Sequence, residues 1–451
     1  MTSGLGVLNN NQERTLTRYQ WRIVLTAGIG FFTDAYDLFI IGVVTAILGP
    51  IWHLSVYQLS ILNGAALAAA GVGAVTFGTL SDLLGRKKLY GLEVAILFVG
   101  ALLAAFSQSF TTLLIARIIV GFGIGGDYPS SAVVASEHSS ASRRGFLVLL
   151  VFAMQAVGLI VGPLLASLLL AIHVSPDTTW RLLLGFGAIP AASVFYLRRT
   201  IQETSHYART KNKNIEQDIP VEVSRVVSDL AGVKDEVEKL RYKKRSLLEG
   251  KWLKYLFLTG GAWFLMDVAL YGNAVSSVLL MRYLDPHSTL LSHTLIAAMV
   301  FLVFAVPGYI LAAKYIDRIG RKKLQVLGFL GMTVAYMLMG AAPQVRDVLS
   351  VFLLIYGLSY FFTNFGPNTT TFLIPSEIYP TTIRAKAHGI SAAVGKVGAF
   401  IGAFFLPIVL HHYGLNFVMV AMSLISLLGL LLTFYLPEMK QKDLSETEDL
   451  H

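Results

Sequence analysis

The sequence predicts an all-α membrane protein in which twelve transmembrane helices form two pseudo-symmetric halves of six helices each. Three observations predict this class: an apolar composition, twelve apolar stretches and an internal duplication. Of the 451 residues, 55% are hydrophobic and only 14% are charged, whereas about 25% of a soluble domain is charged. Because so few charged groups could not cover the water-exposed surface of a chain this long, a soluble multidomain enzyme is excluded.

The chain contains no cysteine, which excludes a disulfide framework, a thiolate metal site and a cysteine nucleophile. No metal site and no cofactor are expected, because the histidines show no metal-ligand spacing and no nucleotide fingerprint or hydrolase motif occurs. The first twenty residues lack the apolar core of a secretory signal peptide, so the first apolar stretch is expected to remain as a membrane span.

Twelve apolar stretches are each about long enough to cross some 30 Å of hydrocarbon as a helix. Their predicted limits are 21–48, 57–81, 89–107, 112–135, 145–172, 180–198, 253–282, 289–313, 324–342, 347–374, 385–410 and 414–436. They are called spans 1 to 12 below.

The distribution of basic residues predicts the orientation of the spans. Of the 36 Lys and Arg residues, 31 lie in the N-terminus, in the loops after even-numbered spans and in the C-terminus, while the opposite loops hold three. By the positive-inside rule both termini are cytoplasmic. The basic excess is explained by topology and anionic headgroups, and no nucleic-acid partner is expected.

One long polar stretch divides the chain. The expected domains are an N-terminal six-helix half at 1–198, a cytoplasmic linker at 199–252 and a C-terminal six-helix half at 253–451. Within the linker, apolar residues recur at helical spacing over 221–245, which predicts an amphipathic helix. This helix would lie against headgroups or, alternatively, against a partner helix.

The two halves repeat one another. The segment 82–88, Asp-Leu-Leu-Gly-Arg-Lys-Lys, returns at 317–323 as Asp-Arg-Ile-Gly-Arg-Lys-Lys, and Ser-Glu at 136–137 followed by Arg144 returns at 376–377 followed by Arg384. Parallel repeats of six helices are typical of transporters that bind substrate between the halves and open alternately to each side.

Ionisable residues inside the spans are the first candidates for function, because placing a charged side chain near the bilayer centre costs on the order of 3 kcal/mol or more of free energy. The deep ones are Asp34, Asp37, Arg117, Asp127, Asp267 and Lys396. In span 7, Trp263, Asp267 and Tyr271 stand four residues apart and therefore share one helix face. The repeat also pairs Tyr128 with Asn368 and Gln155 with Lys396.

The loop motif Gly-Arg-Lys-Lys, preceded by Asp and present twice, resembles that of the major facilitator superfamily; Leu83 and Ala313 depart from its usual form. Four further segments, 31–39, 123–131, 364–371 and 395–398, resemble the phosphate:proton symporter family over essentially all twelve spans. The resemblance implies a major facilitator fold and a phosphate pocket made of Tyr128, Gln155, Trp263, Asp267, Tyr271, Asn368 and Lys396. It implies a proton route through Asp34, Asp37, Arg117 and Asp127, with Asp267 also coupled to the proton.

The repeated loop residues are expected to form a cytoplasmic gate, because an Asp near a helix end can pair with clustered cations or with a helix terminus. The candidate gate residues are Asp82, Arg86, Glu137, Arg144, Asp317, Arg321, Glu377 and Arg384.

The predicted function is proton-coupled uptake of inorganic phosphate by a secondary active transporter, without enzymatic activity. Tyr, Trp, Gln and Asn side chains with one Lys and one Asp match the donors and acceptors of phosphate. The expected partners are phosphate, protons and the bilayer of the plasma membrane, with the chain acting as a monomer. The alternatives are a proton symporter for organic anions or sugars and a non-transporting nutrient sensor on the same scaffold.

Overall fold

The structure is a computed structural model that describes residues 18–84, 91–137, 144–199, 247 and 250–440. In this part of the chain, ten helices are long and apolar enough to cross a membrane, and Leu92–Ala105 is a shorter apolar helix. The spans are Arg18–Ile51, Val56–Leu84, Leu92–Ala105, Phe110–Glu137, Arg144–Ala171, Pro176–Phe186 with Ala188–Arg199, Gly250–Val275 with Ser277–Leu284, Leu290–Val300 with Phe301–Ala305 and Val306–Ile319, Arg321–Ala341, Leu349–Phe365 with Pro367–Ile378, and Thr381–Phe434. A short helix, Pro343–Asp347, precedes span 10.

The last of these helices contains two spans. Gly414 has φ 78° and ψ 176°, which interrupts the helix between spans 11 and 12. A positive φ of this size is strained for residues with a side chain, so glycine fits the turn. The break falls at the predicted limit between the two spans, and the twelve-helix fold is confirmed.

Several spans are interrupted where the sequence predicts continuous helices. Span 6 is divided at Gly187, span 7 at Ser276 and span 10 at Gly366. Span 8 contains a π-helical turn, Phe301–Ala305. Such irregular backbone is tolerated at membrane depth where it is buried within protein, and it frequently marks functional sites. Hydropathy does not detect these breaks, because the residues on both sides remain apolar.

The two halves meet along two related pairs of spans. Span 5 packs against span 8, and span 2 packs against span 11. In the repeat, spans 2 and 5 of the first half correspond to spans 8 and 11 of the second half. The 5–8 contact and the 2–11 contact are therefore equivalent under the two-fold pseudo-symmetry. Within the N-terminal half, Gly121 and Gly125 of span 4 approach the backbone of Ala66 and Ala70 in span 2 so closely that a Cβ would collide. Small residues four apart permit this close packing of transmembrane helices.

Spans 5 and 8 touch at three depths. Near the outer ends, the hydroxyls of Ser167 and Thr294 are 2.8 Å apart. Near the middle, the Tyr309 hydroxyl donates to Gln155 Oε1 at 2.7 Å. At the opposite ends, which are predicted to be cytoplasmic, the Phe146 N–H donates to Asp317 Oδ2 at 3.3 Å. The pair of spans therefore closes the interface between the halves from one face to the other.

The amphipathic helix predicted over 221–245 lies outside the described residues. The division of the chain at 199–252 therefore stays a prediction.

Candidate functional site

The first group of site residues is a buried lysine cluster, made of Trp263, Asp267 and Tyr271 from span 7 and Lys396 from span 11. Lys396 Nζ lies 3.4 Å from Asp267 Oδ2 and donates to the Tyr271 hydroxyl at 3.0 Å. The ammonium also lies 4.5 Å from the centre of the Tyr271 ring. All four side chains are at most 2% exposed. The helical spacing of span 7 places Asp267 and Tyr271 on one helix face, beside the Lys396 ammonium, as their shared face predicts.

The second group is an amide cluster, made of Gln155, Tyr309, Asn364 and Asn368. Asn368 Nδ2 lies 2.6 Å from the Tyr309 hydroxyl and 3.2 Å from Gln155 Oε1. It also lies 2.7 Å from Asn364 Oδ1. The break at Gly366 places Asn368 in the first turn of the second segment of span 10. The cluster joins span 5 of one half to spans 8 and 10 of the other.

The predicted pocket residues thus form two groups. Gln155 and Asn368 meet directly, while Lys396 contacts Asp267 and Tyr271 of span 7. Tyr128 follows Asp127 in span 4, and its side chain lies outside the described part of the structure. Phe372, one turn beyond Asn368, packs with its ring 6.0 Å from Trp263.

Sequence reasoning missed Tyr309 and the role of Asn364. Tyr309 has no polar counterpart at the equivalent position of span 2, so the repeat gave no signal for it. Asn364 belongs to a motif that was recognised, four residues before Asn368, and this helical spacing was the available signal.

A third group, the acidic cluster, lies within the N-terminal half. Arg198 of span 6 forms ion pairs with Glu93 of span 3 at 3.0 Å and with Asp127 of span 4 at 2.5 Å. Asp34 lines the same small cavity as Glu93 and Asp127. Gly30 faces Asp127 and Arg198, and a Cβ there would lie only 2.6 Å and 2.7 Å from them. Sequence reasoning assigned Arg198 to the cytoplasmic basic residues and did not single out Glu93.

The acidic cluster contains three carboxyl groups and one guanidinium. If all three carboxyl groups were ionised, the cluster would carry a net negative charge, which is costly in a buried site. One oxygen of Asp34 has no hydrogen-bond partner among the described residues. The arrangement can therefore hold and release protons.

Asp37 and Arg117 form a separate contact one turn further along span 1. Arg117 Nη2 donates to the backbone carbonyl of Asp37 at 2.7 Å, and Arg117 is fully buried. Arg117 thus contacts Asp37, whereas Asp34 lies with Asp127. The Asp37 carboxyl faces the break of span 6, where a Cβ on Gly187 would approach it closely.

On the side predicted to be cytoplasmic, the lysine and amide clusters are closed by an inner aromatic layer, Phe31, Phe152 and Phe372. The rings of Phe152 and Phe372 stack at 4.6 Å, and Phe31 packs edge-on against both at 5.5 and 5.4 Å. Phe31 and Phe152 belong to the N-terminal half and Phe372 to the C-terminal half. This layer joins the two halves below the polar residues.

The outer side is closed by span 1 packing on span 7. Phe39 stacks on Tyr271 with ring centres 4.9 Å apart and an interplanar angle of 12°. One turn further out, Gly42 approaches the backbone of Val275 so closely that no side chain would fit there. The polar clusters are therefore occluded from both sides.

The second copy of the loop motif forms an ion-pair network at the end predicted to be cytoplasmic. Arg321 pairs with Asp317 at 2.9 Å and with Glu377 at 2.9 Å. Asp317 in turn accepts from the first turn of span 5, where the helix dipole favours a negative charge. Arg384 donates to the Tyr379 carbonyl at 2.9 Å. The corresponding side chains of the first copy, Asp82, Arg86, Glu137 and Arg144, lie outside the described part of the structure.

Comparison with known proteins identifies the family. Residues 15–450 match the family described as sugar (and other) transporter. Inorganic phosphate transporter 1-1 of Arabidopsis thaliana is 33% identical over 509 residues, covering 98% of this chain and 97% of that protein. Inorganic phosphate transporter 1-6 of Oryza sativa subsp. japonica is 34% identical over 501 residues, covering 95% of this chain and 92% of that protein.

A solved structure shares the fold. The major facilitator superfamily proton:xylose symporter XylE, bound to 6-bromo-6-deoxy-D-glucose, superposes with a TM-score of 0.77 at 20% identity, covering 96% of this chain and 99% of that chain. The chain therefore belongs to the sugar (and other) transporter family of the major facilitator superfamily, in the branch that contains these plant transporters.

Proposed function

We propose that the protein is a secondary active transporter that takes up inorganic phosphate together with protons by alternating access. It has no enzymatic activity in this proposal, acts as a monomer in the plasma membrane, and has both termini in the cytoplasm. Two plant relatives named as inorganic phosphate transporters, each at least 33% identical over more than nine-tenths of both chains, support phosphate as the substrate.

The observation that carries the proposal is the buried ion pair between Lys396 and Asp267, 3.4 Å apart. One ammonium and one carboxylate together are neutral, so an arriving phosphate anion leaves the site with a net negative charge. Such a charge is costly in the membrane interior. Protonation of Asp267 restores neutrality and frees Lys396 to bind the anion, so phosphate and proton favour each other's binding.

The amide cluster supplies the hydrogen bonds that a charge alone would not. Asn368 can donate to a phosphate oxygen, and Gln155 Oε1 can accept from a phosphate hydroxyl. Because Gln155 belongs to the N-terminal half and Asn368 to the C-terminal half, a bound phosphate would contact both halves. This is the position from which a substrate can favour closure of the interface.

The acidic cluster would provide the inner part of the proton route. Asp34 lies near the middle of span 1, Asp37 lies about one turn further along it, and Glu93 lies in the first turn of span 3. Three carboxyl groups around Arg198 can accept and pass a proton along this route. Arg117 lies beside Asp37 on this route and donates to its backbone carbonyl.

Alternating access is supported by the closure on both sides. The inner aromatic layer and the contact between Phe146 and Asp317 close the cytoplasmic path. The ring contact between Phe39 and Tyr271 and the hydroxyl contact between Ser167 and Thr294 close the outer path. Separate contacts on each side can break in turn, which is what a transporter of this fold needs.

The test is uptake of labelled phosphate into proteoliposomes with an imposed pH gradient. Uptake should rise when the outside is acidic, and Lys396→Ala should abolish it. The same assay with labelled benzoate or labelled xylose identifies the substrate class. Gradient-driven uptake of benzoate or xylose without uptake of phosphate would indicate an organic-anion or sugar symporter. Phosphate binding without any uptake would indicate a sensor.

A further inference from the structure

Tyr309 occupies the centre of the amide cluster although the predicted phosphate pocket does not include it. Its hydroxyl donates to Gln155 Oε1 at 2.7 Å and accepts from Asn368 Nδ2 at 2.6 Å. The side chain is 2% exposed. The hydroxyl therefore uses the acceptor of one pocket residue and the donor of the other.

A phosphate hydroxyl has the same hydrogen-bonding capacity, because it also donates one hydrogen bond and accepts others. Gln155 Oε1 and Asn368 Nδ2 are 3.2 Å apart, a direct hydrogen-bond distance that leaves no room for a phosphate group between them. Phosphate can reach both amides only if they separate and the Tyr309 hydroxyl leaves them.

The irregular backbone beside Tyr309 would allow this side chain to move out of the amide cluster. The π-helical turn Phe301–Ala305 ends one turn before Tyr309, and Pro307 follows it. A π-helical turn contains one residue more than an α-helical turn, so its conversion would rotate the following segment by about 100°. Proline adds to the irregularity because it lacks the N–H of a regular helix.

We propose that the Tyr309 hydroxyl takes the place of a phosphate hydroxyl in the unloaded transporter and holds the empty site closed until phosphate displaces it. This inference rests on the proposed phosphate transport. The bond from Tyr309 to Gln155 joins the two halves, so it stabilises the closed interface when no substrate is present. A symporter needs such a closed empty state, because net uptake requires the unloaded protein to return across the membrane.

The test compares Tyr309→Phe with the parent protein. If the hydroxyl competes with phosphate, its removal should tighten phosphate binding, by about three- to tenfold for the loss of one or two buried hydrogen bonds. Calorimetry with inorganic phosphate measures this. Net uptake should fall, because the closed empty state is less stable, while exchange of internal for external phosphate should be retained.

The matched control is Tyr336→Phe. Tyr336 is also a buried tyrosine, but its hydroxyl accepts from Asn273 within the C-terminal half. This variant should leave phosphate affinity unchanged. It therefore separates the loss of any buried hydroxyl from the loss of the one between the halves.

Unchanged or weaker phosphate binding in Tyr309→Phe would overturn the inference, since a permanent phosphate ligand gives weaker binding when removed. Equal losses of net uptake and exchange would also overturn it. Failure of the proposed function gives a different result, because the parent protein itself would then neither bind nor exchange phosphate.

Discussion

Lys396 of span 11 and Asp267 of span 7 form a buried ion pair with Nζ 3.4 Å from Oδ2, and both side chains are only 2% exposed. Tyr271 accepts a second hydrogen bond from the same ammonium at 3.0 Å. The cation is therefore held in place by two groups on one face of span 7. The predictions below begin from this pair.

Lys396→Ala should weaken phosphate binding at least tenfold, because it removes the charged donor of the lysine cluster and a hydrogen bond to a charged group contributes about 1.5–3 kcal/mol. Lys396→Gln should also fail, since its amide retains donors but carries no charge. Calorimetry with inorganic phosphate measures both variants. Lys314→Ala, which removes an exposed lysine of span 8, is the control. Parent-like binding by Lys396→Ala would show that the phosphate pocket lies elsewhere.

Asp267→Asn should still bind phosphate but should transport it poorly. Asparagine resembles the protonated carboxyl, so the variant can accept the anion without taking up a proton, yet it cannot release a proton to restore the ion pair. In the parent, binding should strengthen as the pH falls, because protonation of Asp267 removes a negative charge from the site. In the variant this dependence should be weaker. Calorimetry across a pH series decides the matter, and an unchanged dependence would move the coupling to Asp34 and Asp37.

The variants Asp34→Asn and Asp37→Asn should each impair uptake driven by a pH gradient more than they impair exchange of phosphate for phosphate. Exchange needs no net proton movement, whereas uptake requires the carboxyl to load and release its proton. Paired assays on the same proteoliposomes compare the two activities. If gradient-driven uptake and exchange fall equally, these carboxyls have a structural role, since loss of one member of a buried charge network also destabilises the fold.

Gly30→Ala should disrupt the acidic cluster. A Cβ at this position would lie 2.6 Å from Asp127 Oδ2 and 2.7 Å from Arg198 Nη2, which is closer than real contacts allow. The ion pair must then shift, and both thermal stability and gradient-driven uptake should decrease. Gly389→Ala is the matched control, because Gly389 lies in a helix and a Cβ there meets nothing within 4 Å.

In Gly389→Ala the gain in helix propensity should leave the protein as stable as the parent or more stable by about 0.5–1 kcal/mol. Equal thermal stability and uptake in Gly30→Ala and Gly389→Ala would show that the acidic cluster tolerates displacement.

The sequence was sufficient for the fold and for the residues near the lysine cluster. Hydropathy and the basic-residue count give spans and topology directly, and the spacing of Trp263, Asp267 and Tyr271 places these side chains on one helix face. The sequence placed Asp267 and Lys396 in one pocket, and the structure shows that they form a direct ion pair.

The acidic cluster could not be predicted in full. Arg198 lies at the end of span 6, where basic residues are expected for reasons of topology alone. Its side chain points into the N-terminal half and meets Glu93 and Asp127. Only the packing of spans 3, 4 and 6 shows this, because periodicity along one helix carries no information about which neighbouring helix its face meets.

The separation of the pocket into lysine and amide clusters also depends on packing. The repeat pairs Gln155 with Lys396, but equivalent positions in two halves need not touch each other. Gln155 instead meets Asn368 and Tyr309. The π-helical turn in span 8 alters the face on which Tyr309 lies, and apolar residues on both sides of it conceal this from a hydropathy scan.

The two ends of the contact between spans 5 and 8 differ in chemical character, with consequences for their response to salt. The outer contact, Ser167 with Thr294, joins two buried neutral hydroxyls. The inner contact depends on Asp317, whose side chain is 23% exposed and paired with Arg321. Mobile ions screen accessible charges and leave neutral, buried groups unaffected. Higher ionic strength should therefore weaken the closure at Asp317 and leave the closure at Ser167 and Thr294 intact.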